Sequence, residues 1–122
     1  MKVLVVDDSM TMRAIERGIL EQLGLTDIVE AVDGEDALAK LPEFEPDLVL
    51  VDWSMPRMDG LAFVRRFREL HAQTPVIMVT AETDRERVVE AIKAGVSHYV
   101  VKPFTPDVLS QRIEETLARP VA

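Results

Sequence analysis

Apolar residues fall in this sequence in two arrangements that alternate along the chain: short unbroken runs and stripes at helical spacing. The runs are Val3-Leu4-Val5-Val6, Leu48-Val49-Leu50-Val51, Val76-Ile77-Met78-Val79 and Tyr99-Val100-Val101. Continuous runs rich in β-branched residues suit strands of a parallel sheet, which is covered on both faces and so has no polar side. Between them the period lengthens. Ser9 is placed to cap a helix in which Met12, Ile15, Ile19 and Leu23 recur, with Gly24 as its stop. Residues 28–31 form a weaker strand, and Asp33-Gly34 opens a short helix through Leu38 and Leu41 that Pro42 and Pro46 close. A loop over 53–59 leads to a helix with Phe63, Phe67 and Leu70 on one face. Thr83 and Glu86 have the spacing of a capping box for the next helix, with Val88, Val89 and Ile92 inward and Gly95 at its end. Thr105 as N-cap and Pro106 at the first helical position start the last helix, where Leu109, Ile113 and Leu117 recur every fourth residue.

Five strands alternating with five helices predict an α/β fold with a doubly wound, five-stranded parallel sheet. Parallel crossovers are right-handed, and helices must cover both faces. The expected strand order is 2-1-3-4-5, the flavodoxin-like (βα)5 arrangement, whose winding reverses between strands 1 and 3. Ligands of such sheets bind beyond the carboxyl ends of the strands. Those ends carry Asp7 and Asp8, Asp52, Thr80 and Lys102. Side chains distant in sequence would thus meet in one crevice.

Composition narrows the function. At 122 residues the chain is expected to be a single domain, 1–122. Its 48% hydrophobic and 30% charged residues are those of a globular protein. A net charge of −8 opposes direct binding to nucleic acid or to an anionic membrane. Without cysteine there are no disulfides and no thiolate metal sites. The first apolar run is too short for a signal peptide or a membrane span, so a cytoplasmic monomer is expected.

The site's chemistry follows from its charges. Two carboxylates 4–5 Å apart repel by about 3–4 kcal/mol at an effective dielectric near 20. Such a cluster needs a cation or a shared proton. All-oxygen ligands point to a hard ion, and a small open carboxylate site suits Mg²⁺. Lys102 adds a point charge for a phosphoryl oxygen and Thr80 a hydroxyl, together an electrostatic cage for phosphoryl transfer. Asp52, opposite both other acids and between Thr80 and Lys102, is the candidate nucleophile. Each residue also has a plainer reading. Asp7 or Asp8 can cap a helix, Asp52 can belong to a turn, Thr80 can be another strand residue and Lys102 a surface lysine. His71 and His98 have no second ligand nearby in the pattern, Asp33 reads as an N-cap, and Glu114-Glu115 as a solvated helix face. Nucleotide-binding glycine motifs do not occur.

Four stretches together resemble the motifs of bacterial response-regulator receiver domains, the chemotaxis regulators above all. They are Val-Val-Asp7-Asp8-Ser, Asp52-Trp53-Ser54-Met55-Pro56-x-Met58-Asp59-Gly60, Met-Val-Thr80-Ala81-Glu82 and Tyr99-Val-Val-Lys102-Pro103-Phe104-Thr105. The resemblance runs over residues 2–117. It implies that Asp52 accepts a phosphoryl group from a sensor histidine kinase (CheA-like), and that Asp7, Asp8, Asp52 and the backbone carbonyl of Ser54 hold Mg²⁺. It implies that Thr80 and Lys102 meet the phosphoryl group, that Tyr99 is a switch residue, and that the Lys102–Pro103 peptide is cis. Ser54 and Glu82 would tune the phosphoryl lifetime. Ser54 stands where the best-known chemotaxis regulator has Asn. The output face would be the fourth helix, fifth strand and fifth helix, 85–117, docking a flagellar switch protein or another target. Tyr99 reads equally as a strand aromatic packed on a helix. Such a chain is no enzyme beyond assisting its own phosphotransfer and dephosphorylation. Two other classes stay open: a receiver cut from a longer regulator with a DNA-binding or enzymatic output domain, Pro120-Val121-Ala122 starting the linker, and a Mg²⁺-dependent phosphatase with an Asp nucleophile.

Overall fold

The computed structural model describes residues 1–118, so Pro120-Val121-Ala122 lies outside the described residues. Strands β1 (Lys2–Val6), β2 (Asp27–Ala31), β3 (Leu48–Val51), β4 (Val76–Thr80) and β5 (His98–Val101) pair in parallel, in the order β2-β1-β3-β4-β5. Helices α1 (Met10–Gln22), α2 (Gly34–Lys40), α3 (Gly60–Leu70), α4 (Arg85–Ala94) and α5 (Pro106–Ala118) connect them, with a single 3₁₀ turn, Leu41–Glu43, after α2. The expected fold and strand order are those observed.

Alternation along each strand divides the core in two. Leu4, Val6, Val49, Val51, Val76 and Met78 face α2, α3 and α4, meeting Ala37, Phe63, Phe67 and Ala91. Val3, Val5, Leu48, Leu50, Ile77 and Val79 face α1 and α5, meeting Ile19, Leu20, Leu109 and Ile113. Every residue of β3 and β4 is buried. At roughly 1.5–3 kcal/mol for each fully buried large apolar side chain, these two strands are the rigid centre on which the site is mounted.

The caps show where local chemistry fixed the helix starts. Ser9, Asp33 and Asp59 each accept a hydrogen bond from the N–H three residues on, at 3.1, 2.7 and 2.9 Å. The fourth helix departs from expectation. Asp84, not Thr83, caps it, accepting from the Glu86 N–H at 2.9 Å, because Thr83 lies one residue too early. Val89 and Ile92 point outward, 44% and 56% exposed, and only Ala91 of α4 is fully buried. Leu70, at the end of α3, is 67% exposed, since the helix there runs past the edge of the core. On α1 the inward position is Glu16 rather than Ile15, and His98 begins β5 rather than preceding it.

Gly60 marks the tightest packing near the strand ends. A Cβ on it would overlap the carbonyl oxygen of Asp52 and crowd the Cα of Trp53, both fixed backbone atoms. Gly18 on α1 has nothing within 4 Å of such a Cβ. Two alanine substitutions should therefore diverge. Gly60→Ala should lower stability by about 2–3 kcal/mol through overpacking, and Gly18→Ala should raise it by about 0.5–1 kcal/mol through helix propensity. Urea midpoints of the two variants against the parent check this, and equal midpoints would contradict the packing described.

Candidate functional site

Main-chain hydrogen bonds continue past the strands and fix the residues that follow them. Asp7 N–H donates to Ala31 C=O at 3.1 Å, Asp52 N–H to Val6 C=O at 3.0 Å, and Lys102 N–H to Thr80 C=O at 2.9 Å. The side chains of Asp7, Asp52 and Lys102 converge as a result. Lys102 Nζ donates to Asp7 Oδ2 at 2.8 Å and to Asp52 Oδ2 at 3.2 Å. The remaining oxygens are held by backbone: Asp7 Oδ1 accepts from Ser9 N–H at 2.8 Å, and Asp52 Oδ1 from Trp53 N–H at 2.7 Å. Arg13 of α1 ties the loop down by donating to the Asp7 carbonyl at 2.6 Å. The Lys102–Pro103 peptide is cis.

Asp7, Asp8 and Asp52 each place a carboxylate oxygen within 4.8 Å of the others. Asp7 and Asp52 are buried, whereas Asp8 is exposed, so the cluster opens to solvent on one side. Three oxygen donors with no nitrogen or sulfur among them fit a small hard cation such as Mg²⁺. Burial and charge act in opposite senses on the ionisable groups of the cluster. Burial pushes Asp7 above the usual carboxylate range, against the hydrogen bond and charge of Lys102. Burial alone would lower Lys102, but its bonds to Asp7 and Asp52 outweigh that and raise it, so the ammonium stays charged.

Thr80 ends β4 buried, and its hydroxyl oxygen accepts a 3.4 Å hydrogen bond from Glu82 N–H. Tyr99 lies half-buried, its hydroxyl donating to the Glu82 carbonyl at 2.7 Å. Its pKa is pushed up to about 12, by burial first and then by the charges of Glu82 and Asp52, so it remains a donor at neutral pH. Ser54 is exposed on the loop after β3. That loop is anchored by Arg57, whose backbone is left-handed at φ 65°. Arg57 reaches the buried Asp33 at 2.6 Å, and Gly34 N–H donates to Met58 C=O at 3.1 Å. Asp33 is thus the N-cap of α2, tied to the loop beside the site, and its carboxyl is held low by the Asp36 N–H and by Arg57. His71 stacks on Phe67 at 4.8 Å and His98 lies 3.8 Å from Glu115, both away from the acidic cluster.

Sequence reading missed one ionisable group. Glu16 is 2% exposed on the inner face of α1, and its pKa is pushed up to about 8, chiefly by burial and then by the charge of Asp7. The signal was present, because 16, 19, 20 and 23 fall at i, i+3, i+4 and i+7 and so share one helix face.

Comparison with known proteins agrees with this geometry. Residues 3–114 match the response regulator receiver domain, and the chain belongs to that family. It is 46% identical over 121 residues to the chemotaxis protein CheY of Pseudomonas aeruginosa, covering 98% of each chain. Its identity to a CheY homolog of Campylobacter jejuni is 47% over 120 residues, covering 96% of this chain and 92% of that one. Among solved structures, Vibrio cholerae CheY4 superposes with a TM-score of 0.88 at 35% identity, covering 94% of this chain and 97% of that one. CheY in the CheX–CheY–BeF3–Mg complex of Borrelia burgdorferi gives 0.91 at 29% identity, covering 97% and 90%.

The Glu16 carboxyl makes stability depend on pH. Its ordinary value is 4.5 and its folded value about 8, so the folded state binds the proton more tightly. The stabilisation is complete below the ordinary value and is lost as pH rises through the folded one. Between about pH 4 and pH 9, in chelator-treated buffer, Glu16→Gln should gain about 3–5 kcal/mol on the parent. Denaturant unfolding across that range tests it; parallel stability curves would contradict it.

Proposed function

We propose that this chain is a phosphorylation-switched signalling domain of a two-component phosphorelay controlling chemotaxis, with Asp52 as the phosphoacceptor. The observation that carries the reading is the Lys102 ammonium joining Asp7 and Asp52 at the ends of β1 and β3, beside an acidic cluster open on one side. A surface lysine would not be shared between two buried carboxylates. The curated relatives that match nearly the whole chain are chemotaxis proteins.

In this reading an Asp52 carboxylate oxygen attacks the phosphorus of a phosphohistidine on a CheA-like sensor kinase. A P–O bond forms as the P–N bond breaks, and the imidazole nitrogen leaves with the electron pair. Asp7, Asp8, Asp52 and the Ser54 carbonyl would hold Mg²⁺, which would supply positive charge to neutralise the transferring oxygens. Lys102 exchanges its contact with the Asp52 carboxylate for one with a phosphoryl oxygen. The Thr80 hydroxyl, which now accepts from Glu82 N–H, has its own proton to donate to the same group. Moving Thr80 disturbs the Glu82 segment, and Tyr99 is bonded to that segment's carbonyl. Phosphorylation adds roughly −1.5 to −2 charges, enough to bias these two contacts together. Water then attacks the phosphorus, releasing orthophosphate and restoring the carboxylate, at a rate that Ser54 and Glu82 tune.

The face formed by α4, β5 and α5 is the output surface in this reading, where Val89, Ile92, Val101 and Val108 are exposed for a flagellar switch protein or another target. Among the described residues no helix is long and apolar enough to cross a membrane. The similarity to chemotaxis proteins supports a cytoplasmic receiver domain acting as a monomer. A phosphatase with an Asp nucleophile wants a second carboxyl two residues on, and Ser54 stands there.

Acetyl phosphate with Mg²⁺ should label the protein stoichiometrically, and Asp52→Asn should abolish labelling. Lys102→Ala should slow labelling by about 100-fold, the usual cost of removing one preorganised electrostatic partner. Phosphoprotein assay and mass mapping decide it. Label on another residue, or repeated turnover of phosphate esters, would overturn the assignment.

A further inference from the structure

Arg87 lies outside the acidic cluster yet links three of the segments around it. It projects from the first turn of α4, and its guanidinium carbon lies 5.5 Å from the centroid of the Trp53 ring. Trp53 is 4% exposed, and its backbone N–H is the donor to Asp52 Oδ1. The Arg87 Nε lies 3.9 Å from Glu82 Oε2, while Glu82 Oε1 accepts from Asp84 N–H at 2.9 Å. Both oxygens of this carboxylate are therefore engaged from the α4 side. The backbone of the same residue bonds the site residues: its N–H donates to Thr80 Oγ1 and its carbonyl accepts from Tyr99.

We propose that Arg87 is a positioning residue: seated on Trp53, it holds the Glu82 carboxylate toward α4 and thereby lengthens the lifetime of the phosphoryl group on Asp52. The inference rests on the phosphoacceptor reading above. Its physical basis is the asymmetry of the two contacts on Glu82. The Asp84 N–H holds one oxygen at hydrogen-bond distance, and Arg87 holds the other by charge and by its seat on the indole. Without Arg87 the carboxylate keeps one tether and is free to turn about it. It can then accept a proton from a water approaching the phosphorus, because Thr80, two residues earlier, ends the strand beside Asp52. A guanidinium suits this task better than an ammonium, since its flat face stacks on the ring while its edge meets the carboxylate. Each contact is modest: an exposed ion pair and a cation–π contact are both small effects. The expected change in hydrolysis is accordingly about threefold to tenfold.

The test follows loss of label from acetyl-phosphate-treated protein, after removal of the donor, in the parent, Arg87→Ala, Arg87→Lys, Glu82→Gln and the double variant Arg87→Ala/Glu82→Gln. Arg87→Ala should label to the same extent and lose label about threefold to tenfold faster. Arg87→Lys should fall between it and the parent. In the Glu82→Gln background, removing Arg87 should no longer change the rate. A merely structural role would shift the rate equally in both backgrounds, and that result, or an unchanged rate in Arg87→Ala, overturns the proposal. If the parent takes no label, the phosphoacceptor reading fails and the lifetime role falls with it. Trp53 emission in the resting protein, which should still differ between parent and Arg87→Ala, identifies that case as a failure of the chemistry rather than of the contact.

Discussion

One ammonium group shared between two buried carboxylates is the interaction on which this molecule's working end depends. Lys102 comes from the far end of the chain, 95 residues from Asp7 and 50 from Asp52. Three acids whose oxygens lie within 4.8 Å of one another would repel by about 3–4 kcal/mol per pair at an effective dielectric near 20. One lysine offsets part of this and leaves net negative charge. That residual charge suits the cluster to a small divalent cation, and it would make an added phosphoryl group a large local perturbation. Glu16 adds a fourth acid to the same field from beneath, on α1, and is driven toward its neutral form.

The rest of the fold supplies rigidity to this cluster. β3 and β4 are buried along their whole length, and the hydrogen-bond ladder runs one residue beyond β1, β3 and β5 into Asp7, Asp52 and Lys102. The carboxylates therefore cannot relax apart without breaking main-chain bonds. Their repulsion is held in the native state instead of being relieved, a local instability that the apolar cores on both faces offset. The loops beyond the strand ends are less constrained. Glu82 meets Thr80 through its N–H, Tyr99 through its carbonyl and Arg87 through its carboxylate, so one residue links the end of β4 to β5 and α4.

Much of this was legible in the sequence because parallel strands write themselves as continuous apolar runs. The ends of those runs named Asp7, Asp8, Asp52, Thr80 and Lys102, and the structure brings Asp7, Asp52 and Lys102 into direct contact with Asp8 alongside. What stayed hidden depends on the third dimension. The outward turn of Val89 and Ile92 could not be read from spacing, since α4 buries only a narrow stripe of Ala91 with parts of Val88 and Ala94. Asp84 displaced Thr83 as the cap by a single residue, a choice between two good cap residues that backbone direction decides. Glu16 was passed over because a charged residue in an apolar stripe was set aside in favour of the neighbouring Ile15. The contacts of Arg87 with Trp53 and of Arg57 with Asp33 could not be read from spacing, because each pair is far apart in sequence.

Lys102 and the three acids form a single electrostatic unit, in which the ammonium occupies field that a metal ion would otherwise use. Calorimetric titration of Mg²⁺ into the parent and into Lys102→Met tests this most directly. Removing a positive charge that is bonded to two of the three acids that would hold the ion should tighten its binding by at least about tenfold. Equal or weaker affinity in the variant would mean that Lys102 and the carboxylates act independently, contrary to the arrangement described.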